Sequence, residues 1–255
     1  MVDPFLLQLL VGFFVGSIAG LLGSLMIIKR MALVSGPLGH LALPGVALAL
    51  LYNFNLFLGA LISITIGSIF IWLLRLRSKL YLEVLVGIIF ASFVALGFLF
   101  LPIEHAEEAL IGNILKINKI DLLVSFIIWV VSLILLKRLY SKLILLSISE
   151  ELAKTENIEP KKYYFFYLVL IALICALSVK IIGILLTAAL TILPAAFANN
   201  LSRNLSQYFY LSFFVGGLGT SFGIFVSRVF NLPAGPLIIL SFAFLFVISL
   251  IFQRK

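Results

Sequence analysis

Long apolar runs, separated by short polar segments, occupy almost the whole chain. About 20 apolar residues are enough for a helix to cross a bilayer. Lys180 is the only charged residue within 163–200, so this stretch is read as two spans or as one. The pattern predicts an all-α polytopic membrane protein, a single domain over 1–255, with about nine transmembrane helices and eight as the alternative. The predicted spans are 5–28, 31–52, 56–74, 81–101, 121–139, 163–180, 181–200, 207–229 and 233–252.

The second span, 31–52, contains residues that disfavour a continuous helix. Proline lacks a backbone donor and clashes with the preceding turn, so we expect a broken helix whose hinge residues are Gly36, Pro37, Pro44 and Gly45. His40, one of two histidines in the chain, lies between these two pairs. An ionisable side chain inside a membrane marks a candidate transport pathway. A hydrogen-bonded packing residue, bonded to backbone carbonyls freed near Gly36, is the alternative.

Composition and charge support the membrane assignment and orient the chain. The sequence is 64% hydrophobic and 11% charged, about half the charged fraction of an ordinary soluble domain. Lys and Arg of membrane proteins concentrate in cytoplasmic loops. If the N-terminus is outside, fourteen of the 18 Lys and Arg residues fall on the inner side, and only Lys116, Lys119, Lys180 and Arg228 fall outside. The distribution predicts an N-out/C-in topology in the cytoplasmic membrane.

The inner segment 147–162 is the longest polar stretch of the chain. Ser147 and Glu150 have the spacing of a capping box, and Asn157 followed by Pro160 is a stop signal, so we expect a short helix within 147–158. Its apolar edge consists of Ile148, Leu152 and Ile158. Start and stop signals favour a docking helix for a cytoplasmic partner over a simple solvated connector.

The outer loop 101–119 gathers one histidine and three carboxylates, at Glu104, His105, Glu107 and Glu108. Imidazole and carboxylate groups both bind divalent cations. We therefore consider these residues candidates for attracting a cation at the outer mouth of a pathway, with ordinary solvated charge as the alternative.

The sequence lacks the motifs of several other functional classes. It has no HExxH, GxSxG or P-loop motif, which disfavours a membrane-embedded enzyme or a nucleotide-binding protein. It also places no carboxylate pair inside a predicted span, whereas proton-coupled carriers generally use such relays. Transport energised by a separate protein remains favoured. A self-sufficient secondary carrier or channel for a small cation is the alternative.

Five segments together resemble a known family. The chain is similar to the permease subunits of ABC-3 metal-uptake transporters. Each matching motif is short, but the five occur in the family's order along the chain. They are MAL through His40 to LPGVALA (31–49), GNIL (112–115), ISEELA (148–153), GILL through LPAA (183–196) and LPAGP (232–236).

The resemblance implies a function and a set of partners. It implies an importer subunit that moves zinc, manganese or iron and performs no covalent chemistry, with ATP bound and hydrolysed on a separate cytoplasmic subunit. It also implies a second copy of the chain, and an extracytoplasmic binding protein that delivers the metal. The residues implied to couple to the ATPase are Ser149, Glu150, Glu151, Leu152 and Ala153.

One departure from the family concerns the metal site. The resemblance implies that His40 is a metal ligand. In the family an Asp, also implied as a ligand, stands four residues before this histidine, whereas this chain has Gly36. A single imidazole holds a divalent ion poorly, although two copies of His40 from a dimer could converge on one ion.

Overall fold

The structure, a computed structural model, describes residues 3–29, 31–32, 35–101, 104, 106–112, 114 and 117–252. These residues contain eleven helices in chain order. They are α1 Pro4–Ile28, α2 Ser35–His40, α3 Leu43–Leu51, α4 Leu56–Arg77, α5 Leu82–Phe100, α6 Ala106–Ile111, α7 Lys119–Ile148, α8 Glu150–Thr155, α9 Pro160–Leu201, α10 Leu205–Phe230 and α11 Ala234–Ile251.

Seven helices of the described residues, α1, α4, α5, α7, α9, α10 and α11, are long and apolar enough to cross a membrane. The segment Ser35–Leu51, which contains α2 and α3, is a shorter apolar stretch. Together these elements confirm the predicted all-α polytopic membrane protein. The described residues give about seven to nine apolar helices, against the nine predicted.

Helix α1 packs against α9 and α10 through glycines. A Cβ atom at Gly16 would lie 2.3 Å from the carbonyl oxygen of Gly216 on α10, and one at Gly23 would lie 1.8 Å from that of Thr191 on α9. The backbones therefore approach more closely than any side chain would allow. Such close approach favours helix association in lipid, where the hydrophobic effect does not drive it.

Helix α9 consists of two antiparallel halves. Gly183 lies inside it with non-helical angles, φ 78° and ψ 175°. Before this point, Tyr167 contacts Lys29 at the C-terminal end of α1. After it, Thr191 packs against Gly23, near the same end of α1. The chain thus reverses direction around Gly183.

Candidate functional site

The second apolar run is broken between its two proline–glycine pairs. Helix α2 ends at His40 and α3 begins at Leu43, so the break lies at Leu41 and Ala42. Pro44 occupies the first turn of α3, where a missing donor costs nothing. The Ser63 hydroxyl of α4 donates a 2.6 Å hydrogen bond to the carbonyl oxygen of Leu41. Protein thus satisfies a backbone group in the break, as the membrane interior demands.

The four predicted hinge residues lie on either side of this break. Gly36 and Pro37 are within the first turn of α2, and Pro44 and Gly45 are within the first turn of α3. Gly45 also allows α3 to contact α4, because a Cβ atom there would lie 1.9 Å from the carbonyl oxygen of Gly59. The break therefore separates two short helices, each of which begins with one of the predicted pairs.

His40 is half-buried at the end of α2. Its Nδ1 lies 2.8 Å from the carbonyl oxygen of Gly36, and its ring meets Phe90 of α5 edge-on with centroids 5.4 Å apart. Because a carbonyl oxygen only accepts hydrogen bonds, Nδ1 carries the proton in this contact. In a neutral imidazole Nε2 then keeps its lone pair, the form in which histidine binds metals.

The surroundings of His40 supply no further ligand set. Among the described residues, no group of three or more His, Cys, Asp and Glu side chains is arranged to hold a metal ion. Gly36 stands one helical turn before His40, and a Cβ atom placed there would make an ordinary van der Waals contact with the Cβ of Ala188, at 3.8 Å. The site thus offers one imidazole, and a Cβ atom at position 36 meets no steric clash.

The predicted outer cluster is only partly described. Glu104 is exposed and lines a cleft of about 710 Å³, with Gln8, Arg228 and Asn231 among the other lining residues. His105 lies outside the described residues. Glu107 and Glu108 belong to α6, and their side chains also lie outside the described part of the structure. Glu104 and Arg228 thus line the same cleft.

Three glycines from three of the resembling motifs meet next to this cleft. A Cβ atom on Gly112 would lie 2.4 Å from the backbone nitrogen of Gly183. One on Gly235 would lie 2.9 Å from the carbonyl oxygen of Ile111 and 3.0 Å from that of Ile182. Gly112 and Gly183 have positive φ angles of 79° and 78°, which favour glycine. We call Gly112, Gly183 and Gly235 the glycine junction.

An ion pair also ties two helices together near the same end of the bundle. Lys180 Nζ lies 2.5 Å from Asp121 Oδ1, and both side chains are largely buried. Asp121 additionally forms a capping box with Asn118 at the start of α7. Sequence reasoning placed Asp121 at a span end and did not pair it, because its partner is 59 residues away.

The inner segment contains the expected short helix, α8, with a different start. Ser149 is its N-cap and accepts a hydrogen bond from the Leu152 backbone N–H at 3.3 Å. The predicted cap, Ser147, instead lies in the last turn of α7, where its hydroxyl bonds the carbonyl oxygen of Ile144. The prediction of a Ser147 cap is therefore wrong, because α7 continues to Ile148. Asn157, with φ 56°, follows the end of α8.

The apolar edge of this segment consists of two residues, not three. Ile148 is 71% exposed and Leu152 is 54% exposed. Ile158 is buried, so its assignment to the edge is wrong; its backbone N–H bonds the Ala153 carbonyl oxygen and folds it back against the bundle. Glu151 is exposed, Ala153 is buried, and the Glu150 side chain lies outside the described part.

Comparison with known proteins identifies the family of the chain. The model of the family described as "ABC 3 transport family" matches residues 2–253. The chain belongs to the ABC 3 transport family. It is therefore the non-catalytic, multi-pass membrane permease subunit of an ABC importer, and family membership implies a complex with an ATPase and a binding protein.

Members of the ABC 3 transport family from several organisms are similar over nearly the whole chain. The manganese import system permease protein ScaB of Streptococcus parasanguinis is 30% identical, covering 94% of this chain and 88% of its own. The high-affinity zinc uptake system membrane protein ZnuB of Buchnera aphidicola subsp. Baizongia pistaciae is 30% identical, with 98% of each covered. The solved structure of PsaBC from Streptococcus pneumoniae in complex with Fab has a TM-score of 0.82 at 29% identity, covering 95% of this chain and 89% of its own.

Proposed function

We propose that this chain is the transmembrane subunit of an ATP-driven importer that moves manganese or zinc across the cytoplasmic membrane. The family match over 2–253 carries this proposal, because near-complete coverage leaves no large part of the chain for another activity. Similar proteins named for manganese import and for zinc uptake support both metals. ATP-dependent metal uptake by the transporter reconstituted in liposomes tests this proposal.

We propose nine crossings, counting Ser35–Leu51 as one and the two halves of α9 separately, with the N-terminus outside. Segments expected on one side are in contact, which supports this assignment. Lys29 and Arg75, both expected inside, stack on the ring of Tyr164 at 4.4 and 3.9 Å from its centroid. Glu104 and Asn231, both expected outside, line one cleft.

Cysteine labelling tests this topology. In a Cys175→Ala background, Lys142→Cys and Arg203→Cys should react with an impermeant thiol reagent only from the cytoplasmic side, because both positions are exposed on expected inner segments. Tyr52→Cys, 71% exposed between α3 and α4, should react only from outside. Reaction of all three positions from the same side would refute the nine-crossing topology.

His40 is the proposed metal ligand of the pathway, acting through Nε2. The bond from Nδ1 to the Gly36 carbonyl oxygen fixes the ring and its tautomer, the arrangement found in many histidine ligands. Two copies of the chain bring two such imidazoles together. Helix α5, whose Phe90 contacts His40, carries small residues at 87, 91 and 95 on one face. Gly87 has no heavy atom within 4 Å of an added Cβ, which leaves room for a second copy.

The proposed partners bind at opposite ends of the bundle. The ATPase docks on α8 through Leu152 and its neighbours Ser149, Glu150, Glu151 and Ala153. The binding protein releases metal at the outer loops, where Glu104, His105, Glu107 and Glu108 attract the cation. The exposed apolar side chains of Ile148 and Leu152, in an otherwise polar segment, support the inner docking surface.

Replacing His40 by Gln should lower metal uptake about tenfold or more, because removal of a single ligand from a weak site costs at least ~1.4 kcal/mol of binding. The measurement is uptake of radioactive manganese or zinc by cells, normalised to membrane expression. Wild-type uptake by His40→Gln would make His40 a packing residue.

Position 36, one helical turn before His40, provides the matched control. Gly36→Asp places a carboxylate on the helical face of His40, and its Cβ atom would make only an ordinary contact with Ala188, so the variant should fold and raise metal affinity. Gly36→Asn adds the same bulk without the charge and should not raise it. Equal affinities for the two variants would place the metal away from this face of α2.

A further inference from the structure

A basic cleft lies where the C-terminal end of α4, helix α8 and the start of α9 meet. Its volume is about 430 Å³. Three cationic side chains line it, Arg75, Lys154 and Lys161, against one carboxylate, Glu159, among the described lining residues. Among the described lining residues the cationic groups thus outnumber the carboxylate three to one, which suits the cleft to an anionic group.

Aromatic rings hold the cationic walls of this cleft in place. The indole Nε1 of Trp72 donates a hydrogen bond to the carbonyl oxygen of Lys161 at 3.4 Å, and its ring packs edge-on against Phe165. The Arg75 guanidinium lies 3.9 Å from the centroid of the Tyr164 ring. Trp and Tyr with one apolar and one polar end are typical of the membrane–water interface. The cleft thus lies at headgroup level.

An apolar stripe on α4 leads from the cleft into the membrane. Leu76 lines the cleft, and four further residues follow it at alternating spacings of three and four, which place them on one helical face. All five are exposed: Ile62, Ile66, Ile69, Leu73 and Leu76. At ~1.5 Å per residue the stripe is about 21 Å long, most of a hydrocarbon core of ~30 Å. The basic cleft and the apolar stripe on α4 are therefore continuous.

We propose that this cleft binds the phosphate headgroup of an anionic phospholipid, whose acyl chains lie along the α4 stripe. Basic pockets between membrane helices bind anionic headgroups, and each Lys or Arg near the surface contributes about a fivefold gain in affinity. A free phosphate shares the headgroup chemistry but makes no use of the stripe. The site is separate from the transport pathway at His40 and does not depend on which metal is carried.

Lipid titration of the purified full-length chain, followed by native mass spectrometry, tests the site. Phosphatidylglycerol should bind at least tenfold more tightly than phosphatidylcholine with the same acyl chains. In the Arg75→Gln/Lys161→Gln variant this preference should fall about tenfold. The control Lys137→Gln/Arg138→Gln removes the same charge at two exposed positions of α7 that do not line the cleft, and it should keep the preference.

A second variant, Lys154→Gln/Lys161→Gln, keeps Arg75 on Tyr164 and so tests the site if the first variant fails to fold. It should lose the preference to a similar extent. An equal loss in the α7 control, or an unchanged preference in both cleft variants, would overturn the proposal. Displacement of the lipid by millimolar inorganic phosphate would identify a free phosphate site. If the cleft variants lose ATPase association while their lipid affinity is unchanged, the cleft is an ATPase contact. Either this result or displacement by phosphate rejects the lipid site.

Discussion

Replacing Gly183 by Ala should prevent stable folding of the chain. Gly183 has φ 78° and ψ 175°, a region that is essentially restricted to glycine and costs other residues about 1–3 kcal/mol. The added methyl carbon would also lie 2.1 Å from the carbonyl oxygen of Leu110, and backbone cannot move aside as a flexible side chain can. Overpacking of this kind costs another ~1–3 kcal/mol. The combined cost of about 2–6 kcal/mol is a large fraction of the ~5–15 kcal/mol by which native domains are stable.

The measurement is the yield of monodisperse protein and its thermal unfolding temperature in detergent. We expect little folded Gly183→Ala protein, unfolding well below the wild type. Gly87→Ala is the matched control, because nothing lies within 4 Å of a Cβ atom there; its yield and unfolding temperature should be unchanged or higher. Equal unfolding temperatures for Gly183→Ala and the wild type would mean that the glycine junction does not constrain the fold.

Replacing Leu152 by Asp should abolish ATP-driven transport while leaving the membrane helices folded. Leu152 is 54% exposed, so no core packing is lost. In the proposed ATPase contact, however, the variant loses an apolar anchor and buries a carboxylate, which together cost at least ~2 kcal/mol, or about thirtyfold in affinity. Co-purification of the ATPase and ATP-dependent uptake should both fall, with unchanged yield and unfolding temperature.

Leu80→Asp is the control for that experiment. Leu80 lies in the connection between α4 and α5 and is 53% exposed, nearly the same as Leu152. The same leucine-to-aspartate change is therefore made at a site of equal exposure outside α8. It should retain ATPase association and uptake. If Leu152→Asp keeps the ATPase and transports normally, α8 is not the docking helix.

The elements that the sequence predicts well are those with a local physical cause. Apolar runs long enough to cross a membrane predict the seven long helices, and two proline–glycine pairs predict the break between α2 and α3. The failures also have a local cause. Ser147 and Ser149 both precede a short polar helix, and only the length of α7 decides which of them caps it.

The features that the sequence does not predict depend on contacts between distant segments. In the sequence Lys180 only separates two apolar runs, whereas in the fold it forms an ion pair with Asp121. Gly112, Gly183 and Gly235 are unremarkable one by one, although a glycine inside a long apolar run, such as Gly183, hints at a break. Their meeting is a property of the packed bundle, as is the bond between His40 and the Gly36 carbonyl oxygen.

Reconstitution tests the central claim most directly. The chain is placed in liposomes with and without its ATPase, with metal-loaded binding protein on the outer side, and accumulation of radioactive manganese or zinc is followed inside. We predict accumulation only when the ATPase and ATP are both present, and none with a non-hydrolysable ATP analogue. Equal accumulation by the chain alone, without ATP, would contradict the account and identify a self-sufficient carrier or channel.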